Sequence, residues 1–188
     1  MNDINTIETR VNGIAVGDVE ALIGQVAADP AAGMTRWRVA NRWQGQTRSR
    51  ASADGFEIGG RSPDRRFQFD IDEPLEIGGA NTHANPQEHL LAALNACMTV
   101  GFVALCALEG HEVEALEVVT EGDIDLRGFF GLDAQVAPGY EQLRTTMTVK
   151  GSASAADFQR IFEAMLATSP NVHNLSRPVT LTPKLVVA

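Results

Sequence analysis

The sequence predicts an α+β fold with antiparallel sheets wrapped around a long central apolar helix. Three observations lead there. Leu90 to Leu108 is a run of nineteen residues without a charge, opening on a helix-start signal. Segments alternating apolar and polar residues with a period of two lie on both sides of it, as in half-buried antiparallel strands. A second helix pattern follows near the C-terminus. Runs of strands separated by single helices favour α+β over a doubly wound parallel sheet.

Residues 1–33 read as an N-terminal extension and 34–188 as the main domain. In the extension, Val19, Leu22, Ile23 and Val26 fall on one face of a short helix, with Asp18 at its start and Pro30 as its stop. Strands follow in TRWRVANRWQG, where Trp37, Val39 and Trp43 carry the apolar pattern, and in RRFQFDID, where Phe67, Phe69 and Ile71 do. Gly55, Gly59, Gly60, Gly78 and Gly79 punctuate them as turns. Asn85 suits the N-cap of the long helix, Pro86 its first position and Glu88 a reciprocal capping box, and Gly110 suits its end. Strands are expected over 113–124 and 140–149, joined through LRGFFGLD and the Pro138-Gly139 turn. The second helix has Ser154 as N-cap, Asp157 three residues on, an apolar face of Phe158, Ile161, Phe162 and Met165, and a stop at Ser169-Pro170. PVTLTPKLVV is expected to close the chain as a strand.

Composition narrows the function classes. The 188 residues include 15 Lys+Arg against 24 Asp+Glu, a formal charge of −9 that repels phosphate backbones, so no nucleic-acid partner is expected. MNDINTIETR lacks the apolar core of a signal peptide, which makes a cytoplasmic protein the expectation. Leu90 to Leu108 has the length of a membrane span, but it is Ala-rich, contains Asn95, Thr99 and Gly101, and has no flanking basic cluster. A buried core helix, with no membrane contact, is the reading taken. One small sheet gives such a helix little cover, which points to a homodimer.

The candidate chemistry starts from Cys97, inside the apolar helix. A helical cysteine on its own is usually packing, and three turns from the helix start the macrodipole does little for it. A reactive Cys97 needs a cation delivered from elsewhere, most plausibly an arginine on a facing strand. Cys106 is nine residues further, about 180° around the helix and about 13 Å along it, so an intrachain disulfide is excluded and core packing expected. His83, His89, His111 and His173 show no metal-ligand spacing, and no cofactor motif occurs. The acidic run Asp70 to Pro74 reads as a solvated strand end.

Gly78-Gly79, Asn85-Pro86, Leu90 to Leu94, Cys97 eleven residues after the proline, and Gly110 together resemble the OsmC/Ohr family. The resemblance spans roughly residues 34–188. It implies an intertwined homodimer with central helices wrapped by antiparallel sheets. It also implies a thiol peroxidase in which the helix cysteine attacks an organic hydroperoxide and a second cysteine, in a Cys-Pro motif, resolves the sulfenic acid. An arginine and a glutamate near the helix start position the thiolate in that family. By this match Cys97 is the peroxidatic candidate, with Glu88, Gln87 and Arg48 as catalytic candidates around it.

Two departures follow from the match. The resolving position is Ser169, which forms no disulfide, and the glutamate position is Gln87, with the carboxylate displaced to Glu88. Ser169, Asn171, His173 and Asn174 form a polar cluster where the family pocket would lie. They read equally as loop chemistry or as substrate-binding groups. Three functions fit: a one-cysteine hydroperoxide reductase resolved by an external thiol or by Cys106 of another protomer; a small-molecule binding protein with Cys97 as pocket lining; and a stress-associated protein with Cys97 as core.

Overall fold

The computed structural model describes residues 9–187. The expectation for the first residues of the extension therefore lies outside the described ones. The chain forms two compact units divided between Ala92 and Ala93, inside the long helix.

In the first unit, a two-stranded hairpin, β1 (Arg10–Val11) and β2 (Ile14–Ala15), leads into helix α1 (Val16–Ala28). Asp29 then caps a short 3-10 turn, Pro30–Gly33, accepting from the Ala31 N–H. The predicted apolar face of α1 is only partly covered, with Ile23 still 52% exposed. The strand-like segment TRWRVANRWQG forms two strands in two sheets. β3 (Thr35–Trp37) pairs antiparallel with β6 (Phe56–Ile58), whereas β4 (Ala40–Trp43) pairs with β5 (Ser49–Asp54), which in turn pairs with β7 (Arg66–Ile71). Local alternation is the same in either case; only the distant partners separate them. One face of the β4-β5-β7 sheet carries ion pairs, Arg50–Asp70 and Arg66–Asp54. Trp37 and Phe56 stack with centroids 5.0 Å apart, and the Arg65 guanidinium lies within 5.6 Å of the Trp37, Phe56 and Phe67 ring centres.

Helix α2 (Pro86–Leu108) begins as its sequence dictates. The Asn85 side chain accepts from the Glu88 N–H at 2.8 Å, and Glu88 accepts from the Asn85 N–H at 2.7 Å, a reciprocal capping box. Among the described residues α2 is the one helix long and apolar enough to cross a membrane by length and composition, and 28% of its most apolar stretch is buried.

In the second unit, β8 (Val113–Gly122) pairs antiparallel with β9 (Leu143–Gly151), with a register shift near Val113. A short helix, α3 (Leu126–Phe129), interrupts the connection, N-capped by Asp125. Helix α4 (Ala155–Thr168) starts at Ser154, whose hydroxyl accepts from the Asp157 N–H at 3.1 Å. Leu94, Met98, Phe102 and Cys106, each four residues after the last, form the buried stripe of α2 and pack with Ile161 and Met165 of α4. Leu116, Val118, Met147 and Val149 close this core from the sheet.

Two C-terminal expectations need correction. Ser169-Pro170 ends α4 but also starts a further helix, α5 (Pro170–Ser176), because Ser169 serves as its N-cap and Pro170 suits its first position. PVTLTPKLVV is not a strand: residues 177–187 are extended or irregular and join no sheet, with Leu181 82% and Leu185 86% exposed. Strand propensity without a neighbouring edge leaves backbone groups unpaired, so the ladder does not form within one chain.

Candidate functional site

The clearest convergence of sequence-derived candidates lies in the second unit. Cys97 is half-buried, and its Sγ lies 3.3 Å from the Ser169 hydroxyl, 72 positions away in the chain. Ser169 is buried at 5% exposure, and its Oγ also accepts from the Val172 N–H at 3.4 Å as the cap of α5. One turn earlier on α2, the Ala93 carbonyl accepts from Asn171 Nδ2 at 2.8 Å. One turn later, a Cβ on Gly101 would stand 3.1 Å from Met165 Cγ, so Met165 of α4 packs against α2 where the helix has no side chain.

These rungs share one logic. Ala93, Cys97 and Gly101 recur every four residues along one side of α2, and their small side chains let α4 and α5 approach. Their partners run the other way, Asn171, Ser169, Met165, so α2 and α4 pass antiparallel here. Cys97 sits in the middle rung, opposite a hydroxyl fixed by helix-cap geometry. His173 belongs to α5 but is exposed, and its N–H donates to the Ser169 carbonyl as ordinary helix structure.

The remaining candidates belong to the first unit and hold other positions there. Glu88 is engaged in the capping box, and Gln87 is exposed in the first turn of α2. Arg50 makes a two-pronged ion pair with Asp70, at 2.6 and 2.8 Å, and His83 Nε2 lies 3.8 Å from the same carboxylate. The Arg50 hydrogen bond holds the Asp70 pKa below the usual carboxylate range. Arg48, in the turn between β4 and β5, lines a cavity of about 250 Å³ with Gln44, Ser49, Arg50, Asp70, Ile71 and His83.

Cys106 is fully buried, and burial together with the Glu109 charge pushes its thiol pKa up. That fits the core role read from the sequence.

Two polar features escaped the sequence reading. The acidic run is no solvated strand end: Asp72 is wholly buried. Its carboxylate accepts from Ala80 N, Thr82 N, the Thr82 hydroxyl and the Thr47 hydroxyl, all within 3.2 Å. Burial alone would raise its pKa, but bonds from the Thr82 and Glu73 amides and the Thr47 and Thr82 hydroxyls hold it well below the usual range. The carboxylate thus organises the loop that contains Gly78-Gly79. Gly79 is required there because a Cβ would fall 1.7 Å from the Glu73 carbonyl oxygen. The second feature is Asn95, which donates to the Val118 carbonyl at 3.1 Å and accepts from Thr120, itself 2.8 Å from Thr145. A polar residue in an apolar helix facing two paired threonines was the available signal.

The profile of the OsmC-like protein family matches residues 79–184, more than half of the chain. The chain belongs to the OsmC-like protein family. The matched span contains Cys97, Ser169 and Asn171, while Arg48 and Arg50 precede it. Comparison of the fold agrees. An OsmC-like protein from Mycoplasma pneumoniae superposes with a TM-score of 0.59 at 12% identity, covering 75% of this chain and 87% of that one. An OsmC-like protein of unknown function from Vibrio cholerae gives 0.51 at 12% identity, covering 74% and 92%. A candidate osmotic-stress-induced and detoxification-response protein from Psychrobacter arcticus gives 0.52 at 16% identity, covering 74% and 87%. No curated protein sequence matches the chain. At these identities the likeness concerns the OsmC-like fold.

Proposed function

We propose that this OsmC-like protein reduces organic hydroperoxides through Cys97, with reducing equivalents taken from an external thiol. The observation that carries the reading is the half-buried Cys97 held 3.3 Å from a buried hydroxyl, within the span matched to the family. The Cys97 thiolate attacks the distal peroxide oxygen. The O–O bond breaks as the S–O bond forms, and the departing alkoxide takes a proton to become the alcohol. Cys97 is left as a sulfenic acid, oxidised by two electrons. An external thiol then attacks the sulfur, releasing water and leaving a mixed disulfide. A second thiol displaces Cys97 as thiolate and departs as the disulfide. An external donor is favoured because Ser169 has no thiol and Cys106 is fully buried.

The partner in this reading is a second copy of the chain, in a cytoplasmic setting. Trp43 at 75%, Val100 at 69% and the apolar C-terminal segment are exposed, leaving apolar surface that an intertwined dimer would cover. Light scattering across a dilution series reads the dimer directly.

The test of function is consumption of cumene hydroperoxide with dithiothreitol, comparing wild type with Cys97→Ser. Turnover abolished in the variant, with an unchanged circular dichroism spectrum, supports the reading; equal turnover in both overturns it. The alternative is a small-molecule binding protein, and a cleft of about 320 Å³ lined by Phe102, Met147, Val149, Phe158 and Phe162 favours it. No peroxide loss, together with stabilisation by an apolar ligand, selects that alternative.

A further inference from the structure

We infer that Ser169 is a positioning residue for Cys97, holding the thiolate with a donated hydrogen bond, and that Asn171 clamps the helix junction that aims it. This deepens the proposed role of Cys97 and rests on it for function, but it can be tested through thiol reactivity alone.

The donor direction follows from the charge state: a thiolate has no proton to give, so the Ser169 hydroxyl, whose Oγ already accepts the Val172 N–H at the start of α5, donates to Cys97 Sγ at 3.3 Å. An alcohol donating to a thiolate favours the charged form, whereas it gains little from the neutral thiol. The clamp lies one turn away. In α2 the Ala93 carbonyl is the acceptor for the Cys97 N–H, and Asn171 Nδ2 donates to that same oxygen at 2.8 Å. The α4–α5 junction is thus tied to the turn that carries Cys97 at two points, the thiol and the backbone beneath it.

The ionisable groups on these elements make other contacts or face solvent. On α4, Glu163 accepts from Gln159, and Arg160 pairs with Glu109 just past α2. On α5, His173 is exposed. At the start of α2, Glu88 belongs to the capping box, and His89 packs against Phe69 with its Nε2 buried and without a hydrogen-bond partner.

The experiment measures iodoacetamide alkylation of Cys97 in the full chain from pH 5 to pH 10, for wild type and Ser169→Ala, Ser169→Asp and Ser169→Thr. Cys106 is followed by mass spectrometry as an internal reporter of intact folding. Ser169→Ala is expected to slow alkylation about tenfold at pH 7 and to move the rate profile to higher pH, as loss of a hydrogen bond to a charged group would. Ser169→Asp keeps an N-cap acceptor for α5 but sets a carboxylate beside the sulfur, so it shifts the profile at least as far. Ser169→Thr keeps the donor and restores the wild-type profile. Asn171→Leu gives a shift in the same direction as Ser169→Ala. If Ser169 matters only as a cap, Ser169→Ala changes the alkylation rate by the same factor at every pH and leaves the inflection of the profile in place, and the inference is overturned. Unchanged profiles in all variants, with Cys106 still protected, overturn it as well. Shifted profiles in a protein that consumes no peroxide leave the inference standing and remove the proposed function.

Discussion

Phe102→Ala tests the packing that supports the α2 stripe. Phe102 is 1% exposed and packs with Leu94, Met98, Cys106, Ile161 and Met165, with the Phe158 ring centre 5.9 Å away. Deleting a ring from a filled core costs about 3–5 kcal/mol. Here the void would open onto the neighbouring cleft of about 320 Å³, which Phe102 already lines, rather than remain a sealed hole. The lower part of that range, about 3–4 kcal/mol, is therefore expected. Urea unfolding of wild type and variant reads this directly, provided the slope of the transition is unchanged. Cys106 gives an independent reading, since it lies one turn beyond Phe102 on the same stripe and is fully buried. Its alkylation requires opening of the core, so the rate should rise by about two to three powers of ten, at about 1.4 kcal/mol for each. A loss under about 1 kcal/mol with Cys106 still protected would refute the packing argument.

Three further outcomes follow from local geometry. Gly79→Ala places a methyl group on the Glu73 carbonyl, and a drop in Tm corresponding to about 1–3 kcal/mol is expected; Gly78→Ala, with open space but a φ of 88°, should cost only its backbone conformation, about 1–2 kcal/mol. The Asp72 pKa is lower in the folded chain than in the unfolded one, where it is about 3.9, so its contribution to stability is fully present above that value and is lost as pH falls toward the folded value. Urea midpoints measured from pH 6 to pH 2 should fall below about pH 4 in wild type and fall less steeply in Asp72→Asn. Ser154→Ala removes the acceptor for the Asp157 N–H, and a loss of about 1 kcal/mol in chemical denaturation is expected for α4.

What was legible in the sequence was local. The Asn85–Glu88 capping box, the Ser154 cap and the buried spacing of α4 each depend on residues within a few positions of one another, and the structure reproduces them. The β8–β9 pairing was nearly as plain, because two long alternating segments flank one connection. Where partners are distant, pattern failed. Trp37 and Trp43 belong to one alternating text but to two sheets, because Thr35–Trp37 found Phe56–Ile58 and Ala40–Trp43 found Ser49–Asp54. Asp72 looked like solvated acid because its donors, Thr47 and the Ala80–Thr82 backbone, are separated from it in sequence. For the site, resemblance singled out Cys97 and Ser169, but no spacing rule could bring them within 3.3 Å.

That contact constrains the chemistry at position 169. A serine there lies as close to the thiol as a side-chain hydrogen bond requires, and its oxygen is engaged with both Cys97 and the α5 backbone. A hydroxyl can donate to a thiolate or to its oxidised form, but it cannot carry away the two oxidising equivalents that a sulfenic acid holds. Within the second unit the other sulfhydryl, Cys106, sits in the core, with its pKa raised by burial and by Glu109, so it is poorly placed and poorly ionised for attack. If Cys97 turns over, each cycle must draw its electrons from a thiol that enters from outside.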